Sequence, residues 1–238
     1  MKTIYILLTI LVLTTACGKK DSDINAEDKK PMATDVQNKK NINMKEFFYA
    51  ASYSPAYKVS QYIRDGADID AKNENGQTPL ELALIYNTDP QVTELLIGMG
   101  ADTKIKDEKT GANILISSAG AVDNDRKIRA LIKAGVDPNA ADNNGRTAVI
   151  GAAPTNTSVG VFLELITAGA DLNAKNNDGW TPLDYAVRFN KNPDIIKVLL
   201  KYGAHPESRA KAKELADLVK TNPYLVNKGL EKQILASI

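Results

Sequence analysis

Between residues 44 and 238 the apolar positions recur at helical spacing in short runs, and the runs come in pairs. The first run of each pair is short and rich in small residues, as in Leu80, Leu82 and Ala83, then Ile114, Leu115 and Ser118, then Val149, Ala152 and Ala153, then Leu183, Tyr185 and Ala186. After a polar break comes the second run, as in Ile128, Leu131 and Ile132, then Phe162, Leu165 and Ile166, then Ile196, Leu199 and Leu200. The pattern predicts helix pairs.

Glycine punctuates the pairs. Gly66-Ala67-Asp68, Gly100-Ala101-Asp102, Gly135-Val136-Asp137, Gly169-Ala170-Asp171 and Gly203-Ala204-His205 stand 34, 35, 34 and 34 residues apart. Each glycine falls where a left-handed helix C-cap belongs, and a period of this length is what a stack of similar units produces. Between these phrases lie four turn dipeptides, in Asn75-Gly76-Gln77-Thr78-Pro79-Leu80, Thr110-Gly111-Ala112-Asn113-Ile114-Leu115, Asn144-Gly145-Arg146-Thr147-Ala148-Val149 and Asp178-Gly179-Trp180-Thr181-Pro182-Leu183. Thr78 and Thr181 are N-cap residues followed by Pro at the first helical position, so each turn opens a helix. One unit is a hairpin finger followed by two antiparallel helices.

These units resemble ankyrin repeats, whose Thr-Pro-Leu-His-x-Ala motif is matched by Thr78-Pro79-Leu80-Glu81-Leu82-Ala83 and by Thr181-Pro182-Leu183-Asp184-Tyr185-Ala186. The resemblance covers roughly residues 44 to 238 and implies an all-α fold, an ankyrin-repeat solenoid of helix pairs with short β-hairpin fingers. An acid replaces the family's His in both motifs, which suits the positive end of a helix but removes the hydrogen bond that the His makes between repeats. The two middle units carry Ile116 and Ile150 at that position and lack the Pro, so the middle of the stack is expected to be less regular.

Both ends have the character of caps. Met44 to Arg64 keeps a helix pair (Phe47, Ala50, Ala51, then Val59, Tyr62, Ile63) with no finger before it. Ala210 to Thr221 and Tyr224 to Ile238 form two closing helices, in which Leu215, Leu218 and Val219 pair with Leu225, Leu230, Ile234 and Leu235. About five repeats and a C-terminal cap are expected in residues 44–238.

The beginning of the chain has a different character. Lys2, an apolar run from Ile4 to Leu13 and the small residues Thr14-Thr15-Ala16 have the layout of a secretory signal, with residues 1–16 removed. The run is too short to span a bilayer, which needs about twenty residues. Cys17, the only cysteine, stands directly after the small residues. The arrangement resembles a bacterial lipobox, with Thr14 at a position usually taken by Leu. The resemblance implies a lipid on Cys17, palmitate among its acyl groups, and Gly18 after the Cys implies retention on the periplasmic side of the outer membrane. The alternative is an ordinary cleaved signal leaving a free thiol. Residues 17–43 lack aromatic residues and any hydrophobic period, and read as a disordered, lipid-anchored tether.

Charge and chemistry exclude more than they select. Apart from Lys2, 29 basic residues face 29 acidic ones, so there is no field for a polyanion and no nucleic-acid partner is expected. One His and one Cys leave little for a catalytic triad or a metal centre. Neither catalytic residues, metal nor cofactor are expected. His205 reads as a structural replacement of the Asp that stands at its place in the earlier phrases.

Binding is the remaining reading. In ankyrin stacks the fingers and the exposed side of the first helices line a concave groove, and the resemblance transfers that role to Lys72, Glu74, Gln77, Ile85 and Tyr86, to Lys106, Ala112 and Gly120, to Asn143, Arg146 and Thr155, and to Lys175, Asp178, Trp180, Arg188 and Phe189. Trp180, Arg188 and Phe189 stand out, because Trp and Arg dominate interface hot spots and Phe adds a large apolar surface. Tyr53, Tyr57 and Tyr86 form a second aromatic group. The expected partner is a protein of the bacterial envelope. Two functions share this groove: a scaffold holding one envelope protein, and an immunity protein inhibiting a secreted antibacterial toxin such as a phospholipase or other hydrolase. A third, an enzyme or small-ligand factor, needs a pocket with convergent polar groups that the pattern does not supply.

Overall fold

The computed structural model describes residues 42–238. Among them the chain forms twelve helices: α1 (Met44–Tyr53), α2 (Ala56–Arg64), α3 (Pro79–Tyr86), α4 (Pro90–Gly98), α5 (Ile114–Ala119), α6 (Asp125–Lys133), α7 (Ala148–Ala152), α8 (Val159–Thr167), α9 (Pro182–Phe189), α10 (Pro193–Lys201), α11 (Arg209–Thr221) and α12 (Leu230–Ala236). The signal peptide, Cys17 and all but the last two residues of the expected tether lie outside the described residues. Those last two belong with the fold, since Ile42 packs against the core and Asn43 accepts a hydrogen bond from Lys45 N as the N-cap of α1.

Eleven of the helices have ten residues or fewer, below the length at which an isolated helix holds in water. Capping and packing therefore carry them. In α3 the Thr78 hydroxyl accepts from Glu81 N at 3.3 Å while the Glu81 carboxylate accepts from Thr78 N at 2.8 Å; Thr181 and Asp184 repeat this box in α9 at 3.2 and 2.9 Å. Each cap contributes about 1 kcal/mol. The middle inner helices α5 and α7 lack Pro and the boxed acid, and have six and five residues against eight in α3 and α9. At the far ends of α2, α4, α6, α8 and α10 the phrase glycine turns left-handed, with φ between 83° and 104°, and the next residue donates back to the helix, as Ala101 N does to Leu96 O at 3.0 Å.

The helices stack in two layers. The inner helices α1, α3, α5, α7, α9 and α11 contact one another in order, and the outer helices α2, α4, α6, α8, α10 and α12 do the same. One continuous core runs between the layers, from Phe47 and Val59 through Leu80, Leu96, Leu115, Leu131, Val149, Phe162, Leu183 and Leu199 to Leu215 and Ile234. Each fully buried Leu or Phe contributes about 1.5–3 kcal/mol, which is how helices too short to stand alone persist together.

The fingers are turns rather than the expected short hairpins. Among the described residues the one β pairing is an isolated bridge between Lys106 and Asn113. An Asx side chain organises each finger: Asn73 Oδ1 accepts from Asn75 N and Gln77 N, and Asp107, Asp142 and Asn176 do the same for the amides that follow them. These local bonds occupy donors that a strand ladder would use. Neighbouring fingers join through Asn143 N to Thr110 O at 2.8 Å and Asn177 N to Asn144 O at 2.9 Å.

A second ladder lies inside. Buried Asn190, just past the end of α9, donates its amide to Ala153 O and Asn156 O, both at 2.8 Å; Asn156 reaches Ala119 O and Val122 O in the same way, and Asn87 reaches Ala51 O and Ser54 O. Each side chain satisfies orphan carbonyls at the end of the preceding inner helix. The unit of α5 has Val122 where the others have Asn. There Lys127 extends from α6 and donates to Ala83 O at 3.0 Å, Leu84 O at 2.8 Å and Asn87 O. Its side chain is buried, and burial pushes its pKa below the ordinary lysine value.

Two sequence expectations need correction at the C-terminal end. The last helix begins at Leu230 rather than Tyr224, because Asn227 and Gly229 both take positive φ and interrupt it. Leu235 consequently faces outward, 51% exposed, while Leu225, Leu230 and Ile234 seal the core. The acid at the motif's His position also keeps a link between units, since Asp184 pairs with Lys211 of α11 at 3.0 Å.

Candidate protein-binding groove

Equivalent positions on the inner helices show what the stack presents. Eight residues beyond the N-cap stand Tyr86, Ala121, Thr155 and Phe189 in successive units; seven beyond stand Ile85, Gly120, Pro154 and Arg188; four beyond stand Leu82, Ser117, Gly151 and Tyr185. Every column is large at its ends and small in the middle. Tyr53, at the last position of α1, extends the first column, its ring 6.2 Å from that of Tyr86. The result is a trough floored by α5 and α7 between two aromatic walls.

The floor is backbone packed on backbone. A Cβ added at Gly120 meets Gly151 O at 3.0 Å, one at Gly151 meets Ile116 O at 3.4 Å, and the Thr155 hydroxyl donates to Gly120 O at 2.9 Å. Glycine is what lets α5 and α7 approach this closely.

The wall on α9 is an aromatic cluster. Trp180 stacks on Phe189 with centroids 6.2 Å apart and planes 17° from parallel, and Tyr185 tilts against both, at 5.1 and 6.1 Å. Arg188 lays its guanidinium over the indole at 4.7 Å and pairs with Glu214 of α11. Phe189 remains 53% exposed. Beside the cluster Trp180, Arg188, Phe189, Leu218, Pro223 and Tyr224 border a cleft of about 470 Å³. The opposite wall holds Tyr49, Tyr53, Tyr86 and Ile85, all exposed, with Tyr49 and Tyr53 at 5.3 Å. Tyr57, grouped with them by sequence, is exposed but has no ring contact to them among the described residues.

The remaining candidate residues occupy different places. Lys72 and Asp178 are exposed on fingers, and Gln77 is half-buried against Asn73. Lys106 and Asn143 are exposed there too, while Glu74 pairs with Lys45. Arg146 is held by the buried carboxylate of Asp142 at 2.8 Å, so its charge is spent inside the finger, and Lys175 pairs with Glu207. Ala112 is buried in the core and does not face the groove. Sequence reasoning missed Tyr49, Tyr185 and Tyr224. Tyr185 was hidden among residues read as helix filler, and Tyr224 lies outside the repeat motif altogether.

No group of three or more His, Cys, Asp or Glu side chains among the described residues is placed to hold a metal ion, and no described helix is long and apolar enough to cross a membrane. Residues 115–210 match the family of ankyrin repeats (3 copies). No curated protein matches the chain. The matched stretch contains α6 to α10 and most of α5; the all-α stack has the architecture of an ankyrin solenoid, and ankyrin repeats are typically protein-interaction modules.

Proposed function

We propose that this protein is a lipid-anchored binding module of the bacterial envelope, which holds one protein partner in the trough between its aromatic walls. The observation that carries the binding part is the uncharged floor of small residues, Ser117, Gly120, Ala121, Gly151, Pro154 and Thr155, flanked by exposed rings at both ends. Water leaves such a surface at little polar cost, and rigid rings contribute large contact areas with small loss of side-chain entropy. Trp180, Arg188 and Phe189 are the anchors in this reading, with Tyr86 on the far wall and Lys72, Gln77, Arg146, Lys175 and Asp178 at the rim. The anchoring part rests on the order of Lys2, the apolar run, the small residues and Cys17. Acylated Cys17 places the module in the periplasm on the outer membrane.

Crosslinking in the native envelope tests the binding part, with wild-type protein and an Ala121→Trp variant compared side by side. Ala121 is exposed, so an indole there fills the trough without entering the core. A partner captured by wild type and lost by an equally stable Ala121→Trp protein supports the reading; equal capture by both removes it. For the anchor, Cys17→Ser protein is expected in the soluble fraction, and sedimentation with membranes as before would remove that part. A partner that proves to be a hydrolase silenced on binding would identify the module as an inhibitor.

A further inference from the structure

The cleft beside Trp180 carries information about the partner's chemistry. One side is apolar, formed by Phe189, Leu218, Pro223 and the Tyr224 ring. The charges around it are almost all neutralised within the fold. Arg188 pairs with Glu214, Glu214 also meets Lys211 at 3.4 Å, and Lys211 pairs with Asp184, giving a chain of alternating sign that ends in the Asp184 capping box. Lys220 is taken by Asp217 at 2.7 Å. Lys191 is the exception. It follows Asn190 in the turn between α9 and α10, its ammonium lies 5.5 Å over the centre of the Tyr224 ring, and no carboxylate among the described residues comes within ion-pair distance. The cleft therefore has an apolar side, with Arg188, Thr221 and Asn222 completing its lining, and beside it, over the Tyr224 ring, stands one ammonium without a carboxylate partner among the described residues.

We infer that this cleft receives an apolar side chain of the partner protein that is flanked by a carboxylate, the side chain entering between Phe189 and Tyr224 and the carboxylate meeting Lys191. The inference rests on the groove reading and adds the chemistry of the segment that docks there. A cleft of about 470 Å³ has room for one such side chain. The Lys191 ammonium selects by sign, because an opposite charge placed over Tyr224 is attracted and a like charge is repelled.

Trp180 is the only tryptophan of the chain and borders the cleft, so its fluorescence reports occupancy directly. The probes are N-acetylphenylalanine, which carries a carboxylate, and the neutral N-acetylphenylalaninamide, titrated at millimolar concentration as their size requires. The expected result is a two- to about fivefold tighter binding of the carboxylate probe at low salt, the range for an exposed ion pair, with the preference abolished in Lys191→Gln and the neutral probe unaffected. Added salt should shrink the preference in wild type. Equal binding of the two probes, or a preference that survives Lys191→Gln, overturns the inference and leaves the groove reading untouched. A Trp180 signal that neither probe moves also overturns it, since the cleft then accepts no side chain; the groove reading is decided separately by the Ala121→Trp comparison. Unchanged melting of Lys191→Gln shows that the variant is folded.

Discussion

The ammonium of Lys127 lies 2.8 Å from the carbonyl oxygen of Leu84, in the place that an asparagine amide occupies between other units. Asn190 makes the equivalent bond to Ala153 O and Asn222 makes it to Val187 O, whereas the unit between those of Asn87 and Asn156 has Val122 and nothing to donate. A cation from the neighbouring outer helix fills the gap. Without it, Leu84 O and Asn87 O would be buried without donors, while Ala83 O would keep the bond from Asn87 N.

Lys127→Met is therefore expected to destabilise the protein by about 2 kcal/mol, the cost of leaving buried acceptors unpaired offset in part by no longer burying a charge. Adding Val122→Asn should restore a substantial part of the loss, while Val122→Asn alone crowds the lysine and should gain nothing. Urea unfolding of the three variants measures this, and strictly additive effects would contradict the shared-carbonyl account.

The same glycine-to-alanine change is expected to have opposite signs at two places. Gly98 ends α4 with open space around it, so Gly98→Ala should stabilise by about 0.4–1 kcal/mol through the unfolded chain. Gly120 has an ordinary φ of −78°, so the only obstacle there is steric, and its new methyl group meets Gly151 O at 3.0 Å. Gly120→Ala should cost about 1–2 kcal/mol by forcing α5 and α7 apart. Thermal unfolding separates the two.

Burial disfavours the charge on Lys211, but its hydrogen bond and attraction to Asp184, with help from Glu214, outweigh this and raise its pKa above the ordinary lysine value. A raised basic pKa contributes stability that is present below the unfolded value of 10.5 and is lost as pH rises through the folded value. Wild type should accordingly lose more stability between neutral and strongly alkaline pH than Lys211→Met does. Parallel unfolding curves across that range would show that the pair contributes nothing.

Against the captured partner, Trp180→Ala and Phe189→Ala should each weaken binding by about 2 kcal/mol, while Lys72→Ala at the rim should cost less than about 1 kcal/mol. Arg188→Ala also breaks the pair with Glu214, so its effect on binding must be corrected for its own melting curve. Sub-kcal effects at both rings with unchanged stability would move the binding surface elsewhere.

The repeat was legible because it is written in glycines whose backbone conformation no other residue adopts easily, and in apolar positions that recur with them. The aromatic wall was legible in part, since Trp180, Arg188 and Phe189 fall at places the resemblance marks. The polar ladder was not. Asn87, Asn156 and Asn190 stand in polar breaks, where asparagine reads as a turn residue, and Lys127 sits in Asp125-Arg126-Lys127, which reads as a solvated helix face. Their burial depends on carbonyls from a unit over thirty residues away, and local pattern contains no record of those. The trough was equally hidden, because smallness at Ser117, Gly120, Ala121 and Gly151 acquires meaning only when the columns of neighbouring units are set side by side.

The contact between Gly120 and Gly151 bears on how a partner is received. Two main chains in direct contact have no rotamers to choose among, so the central floor is pre-organised before anything arrives, and its ordering was completed when the chain folded. Conformational adjustment on docking is confined to the rings at either end, which makes the walls the place where discrimination between related partners is exercised and the floor a fixed gauge of how wide an inserted segment can be.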